Sequence, residues 1–286
     1  MLRVPDHWIW DSWIADDGDR YHLFFLKAPS ALGDPDLRHT SARIGHASSL
    51  DLIEWEVHED ALRPYHRGFD DLALWTGSVA RGDDGVWRLY YTAINTEGRD
   101  VRDQRIGMAE SQDLFTWRRA ADQPLVTPDP RWYRTSETWR DPFVFRAADG
   151  WHMLITARSP HEPRLRDGVL AHARSDDMVH WELGPPLTEP AQFGQLEVSQ
   201  VRHVDGRWLL IFTCHPDEQA EPQPYCTWLV TGASPLGPFD IAEAQPFMRE
   251  PRLFAAPLVR RRDGTWALIG FREPHDFRIV DPIPFP

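Results

Sequence analysis

The sequence has few cysteines: Cys214 and Cys226 are the two among 286 residues. They form neither a CxxC motif nor a disulfide framework, so we expect two free thiols in a reducing compartment. No run of about 18 apolar residues is present that could span a membrane, and the N-terminus lacks the apolar core of a signal peptide. The sequence therefore predicts a cytoplasmic protein without a membrane partner.

Basic runs are also missing, and the formal net charge is −13, with an isoelectric point of about 5.4. Proteins that bind nucleic acids usually present a basic face, so the acidic balance argues against a nucleic-acid partner and favours a neutral ligand. The 13 histidines show no HxH or HExxH spacing. No nucleotide-binding loop or nucleophile elbow occurs, and we expect no metal and no cofactor.

Long α-helical patterns are absent, whereas proline and tryptophan are abundant, with 25 and 14 residues. Frequent proline shortens helices and multiplies turns. Asp-Gly pairs recur about every 60 residues, each between two strand-like runs, at 17–18, 84–85, 149–150, 205–206 and 263–264. Asp-Gly in this setting is a strong hairpin signal. The pattern predicts five equal units whose turn aspartates have a purely structural role.

A second repeat follows the first four hairpins. Asp51, Asp113 and Asp177 each stand four residues before a tryptophan, and Phe239 takes the aromatic place in the fourth copy. We interpret this repeat as a third strand, a turn opened by the aspartate side chain and an outer fourth strand. Four strands in each of five units predict an all-β fold, a five-bladed β-propeller with four-stranded antiparallel blades, as one catalytic domain over residues 1–286. Because the fifth unit is short, we expect an N-terminal strand, at residues 2–5, to close the ring.

Counting back from each Asp-Gly pair gives the start of each innermost strand, and these starts converge at one end of a propeller's central channel. Three of the five begin with an acid, namely Asp11, Asp141 and Glu197, and the other two begin with small residues, at 76–78 and 255–256. Three carboxyl groups near one axis repel each other, so at least one should have a raised pKa. An ionised acid beside a protonated one is what glycosidic cleavage needs. The register predicts a sugar-cleaving site.

These segments resemble the five-bladed propeller glycosidases that act on furanosides, the levansucrase/invertase clan, and most closely the levansucrase family. The Trp-Asp-Ser-Trp motif of that family stands at 10–13, its Trp-Ser-Gly-Ser segment corresponds to Trp-Thr-Gly-Ser at 75–78, and its Arg-Asp-Pro motif stands at 140–142. The family's acid/base glutamate at the start of the fourth blade matches Glu197. All four segments occur in order on successive blades.

The resemblance implies a role for each acid. Asp11 would be the nucleophile that forms a fructosyl-enzyme intermediate, and Glu197 would protonate the leaving oxygen and then activate water. Asp141 would stay ionised and stabilise the transition state, and Arg140 would orient Asp141 and contact the sugar.

Five further residues would bind substrate. The resemblance implies that Trp10 and Trp75 form walls of the fructose pocket and that Ser78 lines it. Gln195 stands where the family has an additional acidic residue, and His215 stands where it has an arginine that holds the leaving glucosyl group. Both departures lie where the leaving group would bind. The residues that would bind the fructosyl unit match the family, whereas the sequence does not decide whether sucrose is the donor.

We predict a glycoside hydrolase that cleaves a β-fructofuranosyl linkage of a small carbohydrate, of the sucrose or fructo-oligosaccharide type, by a retaining mechanism, with fructosyl transfer as a further reaction. One alternative is an inverting arabinofuranosidase- or xylosidase-like enzyme, which uses three acids on the same fold. A second is a non-catalytic sugar-binding propeller, which would not need three acids in register. A separation of about 5–5.5 Å between the carboxyl groups of Asp11 and Glu197 would mean retention, and about 6.5–9.5 Å inversion.

Overall fold

The computed structural model describes residues 1–96, 103–120, 122–136, 138–249, 252–272 and 276–286. These residues form β-strands joined by turns and by short 3-10 helices at Ser30–Leu32, Pro35–Thr40, Pro216–Glu218 and Ile241–Glu243. Across the described ranges, no helix is long and apolar enough to cross a membrane. Cys214 and Cys226 are both buried free thiols, as predicted.

The strands form the predicted five-bladed β-propeller, and each of the first four blades is one antiparallel sheet of four strands in chain order. The strands of these blades are β1 (His7–Asp16), β2 (Tyr21–Pro29), β3 (Arg43–Ser49) and β4 (Glu56–Val57); β5 (Ala73–Arg81), β6 (Trp87–Ile94), β7 (Gln104–Ser111) and β8 (Arg118–Arg119); β9 (Arg140–Ala147), β10 (Gly150–Arg158), β11 (Gly168–Ser175) and β12 (Glu182–Leu183); and β13 (Glu197–Val204), β14 (Arg207–Thr213), β15 (Thr227–Gly232) and β16 (Gln245–Phe247).

Both repeats form the predicted turns. The Asp-Gly pairs connect the first two strands of each blade, and their glycines have positive φ, for example 100° at Gly18 and 80° at Gly85, which glycine adopts without steric cost. In the second repeat, Oδ1 of Asp51 accepts hydrogen bonds from the backbone N–H groups of Ile53 and Glu54, both at 2.9 Å. Asp113 and Asp177 make the equivalent bonds. Each aspartate thereby closes the turn into a two-residue outer strand.

The fifth blade is less regular. Strands β17 (Leu258–Arg260), β18 (Trp266–Leu268) and β21 (Ile283–Phe285) form one sheet, and β19 (Phe271–Arg272) pairs with β20 (Asp276–Ile279). The N-terminus closes the ring through a single bridge, in which the N–H of Leu2 donates to the carbonyl of Ile279 at 3.1 Å. The expected strand at residues 2–5 is thus shortened to one residue, because Pro5 has no N–H to donate and Asp6 turns the chain with a φ of 58°.

The hydrophobic core is divided into clusters that join neighbouring blades. One cluster joins the first, second and fifth blades, and three others join the second to the third, the third to the fourth and the fourth to the fifth. Trp13 stacks on Phe24 within the first of these, and Trp139 is buried in the second. Because these clusters lie between neighbouring blades, they do not fill the central axis. The axis is lined by residues of the innermost strands.

Candidate active site

The innermost strand of each of the first four blades contains an irregularity in its pairing with the second strand. On β1 and β5, Asp11 and Thr76 are extra residues that break the pairing register. On β9, Asp141 and Pro142 lie opposite one residue of β10, and β13 has a similar shift just after Glu197. A β-bulge re-aims a side chain that strict alternation would direct elsewhere, and bulges are common beside active sites. The four irregularities turn polar side chains toward the axis.

A cavity of about 1000 Å³ opens at this end of the axis. Eight of the nine predicted site residues line it: Trp10, Asp11, Trp75, Arg140, Asp141, Gln195, Glu197 and His215. The structure therefore brings the three acids together at one cavity that is large enough for a small carbohydrate.

Ser78 does not line this cavity. It lies in a second, smaller cavity further along the axis, where its hydroxyl accepts a hydrogen bond from the N–H of Val144 at 3.0 Å. Thr76 takes the expected position, because the extra residue in β5 directs its side chain into the larger cavity. Trp13 and Trp139, which flank the acids in the sequence, are core residues with 5% and 2% exposure.

Thr76 holds the carboxylate of Asp11. Its Oγ1 donates to Oδ2 of Asp11 at 2.5 Å, and a hydrogen bond from a hydroxyl to a carboxylate is among the strong ones. The bond fixes the rotation of the carboxyl group and hence the direction in which its second oxygen faces.

Asp141 is buried, with 4% exposure, and has a positive φ of 57°. Its Oδ2 accepts from the N–H of Val198 at 3.2 Å and from Oγ1 of Thr156 at 3.3 Å, and lies 3.5 Å from Nε of Arg140. Burial raises the pKa of this carboxyl group, while the guanidinium of Arg140 and the two hydrogen bonds act in the opposite direction. Two hydrogen bonds and one ion pair thus hold this acid in place.

Arg140 contacts both Asp141 and Glu197. Its Nη2 donates to Oε1 of Glu197 at 2.8 Å and also to the side-chain oxygen of Gln195. Burial nevertheless raises the pKa of Glu197 to about 7, and the negative charges of Asp141 and Glu218 add to the rise against the opposing effect of Arg140. Glu197 can therefore hold or release a proton near neutral pH, as expected of at least one of the three acids.

An ion-pair network continues from this point and was not foreseen from the sequence. Arg158, with 1% exposure, donates to Asp167 at 2.8 Å and to Glu218 at 2.9 Å. Although burial acts to raise it, the pKa of Glu218 is lowered by Arg158 and Arg164, and a hydrogen bond from Gln195 contributes. This network fixes the wall of the cavity beside Glu197.

His215 lies on the same wall, where β14 leads into the 3-10 helix Pro216–Glu218. Its Nδ1 accepts from the N–H of Asp217 at 3.2 Å, and its Nε2 lies 2.6 Å from Oη of Tyr225. Since Nδ1 is an acceptor, the neutral ring carries its hydrogen on Nε2 and donates it to the tyrosine.

The opposite wall contains the two tryptophans and the 3-10 helix Pro35–Thr40. Nε1 of Trp75 donates to the carbonyl of His39 at 2.7 Å, and Trp10 meets the ring of His39 edge to face at 6.4 Å. Burial, with help from the charge of Arg38, lowers the pKa of His39 to about 4, so this ring is neutral at physiological pH. The wall is aromatic and rigid, as sugar faces require.

Three threonines support the acids from the second strands. Thr92 accepts from the N–H of Asp141 at 2.9 Å and donates to the carbonyl of Thr76 at 2.9 Å. The one hydroxyl hydrogen of Thr156 is shared between Asp141 and the carbonyl of Leu196, which lies 2.8 Å away. Thr213 is placed equivalently against Glu197. A signal for them exists in the sequence, since a threonine ends the apolar run after three of the Asp-Gly turns.

Within the described ranges, no group of three or more histidine, cysteine, aspartate or glutamate side chains is arranged to hold a metal ion. Asp141 and Glu197 are instead partnered by Arg140. The chemistry available here is that of carboxyl groups, a guanidinium and hydroxyls.

Comparison with known proteins gives one family model, the glycosyl hydrolases family 32 N-terminal domain, which matches residues 12–232. An insoluble beta-fructofuranosidase isoenzyme of Arabidopsis thaliana is 31% identical over 185 residues, which cover 62% of this chain and 32% of that protein. The chain thus spans about a third of the length of that relative.

Solved structures share the fold at low identity. Inulosucrase from Halalkalicoccus jeotgali bound to kestose superposes with a TM-score of 0.74 and 22% identity, covering 94% of this chain and 77% of that one. Bacillus subtilis levansucrase gives a TM-score of 0.77 and 13% identity, covering 98% and 84%.

Proposed function

The chain belongs to family 32 of the glycosyl hydrolases, and we propose that it cleaves a β-fructofuranosyl linkage of the sucrose or fructo-oligosaccharide type with retention of configuration. The observation that carries this proposal is the placement of Asp11, Asp141 and Glu197 around one cavity. The name of the Arabidopsis relative and the kestose bound to the inulosucrase support fructose as the transferred sugar.

Glu197 acts first as the general acid. With a pKa of about 7 it is protonated in mildly acidic solution and donates its proton to the leaving oxygen as the glycosidic bond breaks. In the second step it is ionised and takes a proton from the attacking water. The short contact with Arg140 orients the carboxyl group in both steps.

Asp11 acts as the nucleophile. Thr76 holds one oxygen of its carboxylate, so that the other attacks the anomeric carbon and forms a fructosyl-enzyme ester. Water, activated by Glu197, then cleaves that ester. Two displacements at the same carbon restore its original configuration.

Asp141 binds the sugar without reacting. Held by Val198, Thr156 and Arg140, its carboxylate accepts hydrogen bonds from ring hydroxyls and stabilises positive charge that develops at the anomeric carbon. Because these partners are in place before the substrate arrives, the site does not have to reorganise during the reaction.

The leaving group occupies the wall formed by Gln195, His215 and Glu218. This wall presents a neutral amide, an imidazole and a carboxylate fixed by Arg158, all of which pair well with sugar hydroxyls. Gln195 and His215 replace an acid and an arginine of the levansucrase pattern, so this wall presents different groups to the leaving sugar than that pattern does.

Sugar release tests the proposal directly. Wild type and Asp11→Asn are incubated with sucrose, a short inulin oligomer and an aryl arabinofuranoside, with Asp205→Asn as the matched control. Asp205 is a hairpin residue with a φ of 48°, which asparagine adopts readily. We expect fructose from wild type and from the control, and none from Asp11→Asn.

Arabinose in place of fructose would overturn the substrate, and activity retained by Asp11→Asn would overturn the nucleophile. Methanolysis then tests the stereochemistry: a retaining enzyme transfers fructose to methanol as the methyl β-fructofuranoside, whereas the α anomer would show inversion.

A further inference from the structure

A second cavity of about 70 Å³ lies on the propeller axis beyond the three acids. Residues of all five blades line it, and Thr76, Asp141 and Val198 line both cavities. Its other polar lining residues are Ser12 of β1, Ser78 of β5, and Ser199, Gln200 and Arg202 of β13.

Arg202 brings a positive charge that lacks a counter-charge. Its Nε and Nη1 donate to the carbonyls of Leu258 and Val201 at 3.2 and 3.3 Å, and its guanidinium lies 4.9 Å from the ring centre of Phe143. No carboxylate among the described residues lies within 4.0 Å of it. Burial lowers the pKa of Arg202 to about 10, with no neighbouring acid to oppose the effect.

Arg158 shows how this chain balances a fully buried arginine, whereas Arg202 is only partly buried. Asp167 and Glu218 both lie within 3 Å of the guanidinium of Arg158. Buried charges are normally paired, since an isolated one is costly. An arginine without a carboxylate on the axis is therefore a place where a negative ligand is missing.

Two hydroxyl groups point to the same conclusion. Oγ of Ser12 and Oγ of Ser199 are buried, in residues with 1% and 2% exposure, and neither has a hydrogen-bond partner in the described part of the chain. Buried hydroxyls are usually satisfied. Water could satisfy both, but it would leave the charge of Arg202 unbalanced.

Asp141 does not supply that balance. Its carboxyl group already accepts from Thr156 and Val198 and lies 3.5 Å from Nε of Arg140. Its charge is thus matched on the side of the larger cavity, and Arg202 has no carboxylate partner among the described residues.

We propose that this axial cavity binds a small inorganic anion, held by the guanidinium of Arg202 and the hydroxyls of Ser12 and Ser199. The volume admits a small anion together with water, since about 10–15 Å³ of such space already holds one water. The anion would link β1 and β13 across the axis and so stabilise the ring. The inference does not depend on the proposed activity.

Thermal unfolding tests the site, with sodium chloride titrated against sodium gluconate at constant ionic strength. The Tm of wild type is expected to rise with chloride and to saturate, by about 5 °C at roughly a hundredfold excess over Kd. Arg202→Met should lose this response, whereas Arg207→Met, which removes an exposed arginine of β14, should keep it. A chloride response that survives in Arg202→Met, or that is absent from wild type, overturns the proposal.

Crystals of wild type soaked in sodium bromide give a readout that does not require a variant to fold. An anomalous difference peak between Arg202 and the two serines is expected. No peak at that place would overturn the proposal whatever the variants do.

Discussion

Acids lie at the cavity end of three innermost strands and in the hairpins that follow the opposite ends, and the pKa values of the two groups are shifted in opposite directions. At the cavity end, burial raises the pKa values of Asp141 and Glu197, the latter to about 7. At the hairpin end, a hydrogen bond from Arg88 lowers the pKa of Asp84 to about 2, and one from His152 lowers that of Asp149. Similar residues on the same fold thus become a proton donor at one end and a permanent anion at the other. At the cavity end, desolvation disfavours the charged carboxylate and raises the pKa. At the hairpin end, hydrogen bonds to an exposed carboxylate favour the charged form and lower the pKa.

Removing the acid at the cavity end should have the largest effect. Glu197→Gln keeps the shape but has no proton to donate, so we expect kcat on sucrose or an inulin oligomer to fall about 10²- to 10⁴-fold. An activated aryl fructoside, whose leaving group needs no proton, should recover much of the first step. Asp84→Asn at the hairpin end should retain wild-type kcat. An equal loss of kcat in Glu197→Gln and Asp84→Asn would contradict the assignment of catalysis to the cavity end of the strands.

The same variant should change the pH dependence of stability. Glu197 has a folded-state pKa of about 7, above its ordinary value of 4.5, so its contribution is complete below about pH 4.5 and is lost as the pH rises through 7. Relative to Glu197→Gln, wild type should lose up to about 3 kcal/mol of unfolding free energy across that window. Urea unfolding at pH 5 and pH 8 measures it. A parallel pH dependence in both proteins would refute the raised pKa.

Glu218→Gln should have a smaller, graded effect. The charge of Glu218 helps to raise the pKa of Glu197, so removing it should move the alkaline limb of kcat/KM to lower pH by about 0.5–1 unit. The plateau should change less, because Glu218 lies on the leaving-group wall and does not take part in proton transfer. A lower plateau with an unshifted limb would instead assign Glu218 to substrate binding alone.

The smallest effect belongs to the hairpin end. The pKa of Asp84 is below its usual 3.8, so its stabilising contribution is present above about pH 4 and is lost as the pH falls toward 2. Because this side chain is half exposed, solvent screening limits the contribution to less than about 1 kcal/mol. Asp84→Asn should be less stable than wild type at pH 5 and equal to it near pH 2, as measured by urea unfolding. A loss that persists at pH 2 would have a cause other than charge.

The repeats allowed the fold to be predicted because turn chemistry is local. An Asp-Gly pair or an Asp51-type turn is recognised from a few neighbouring residues, and five copies at even spacing leave few architectures. The same reasoning predicted an acid at the start of three innermost strands. Asp141 and Glu197 lie at such starts, whereas Asp11 is the fifth residue of β1, because that strand begins earlier, at His7. The family match confirms the predicted clan.

The site could be predicted only in part, because its finer geometry depends on register and on distant partners. An extra residue in β5 exchanges the roles of Thr76 and Ser78, and alternation alone cannot reveal such a bulge. Arg158 and Glu218 are 60 residues apart and meet only across two blades. Their pairing has no local pattern that a reader of the sequence could use.

Trapping the covalent intermediate tests the central claim most directly. Glu197→Gln, treated with an activated fructoside, should form the ester quickly and hydrolyse it slowly, since water lacks its general base. Peptide mass spectrometry should then find one added fructosyl unit on the peptide that contains Asp11. No adduct, or an adduct on another carboxyl group, would contradict the account.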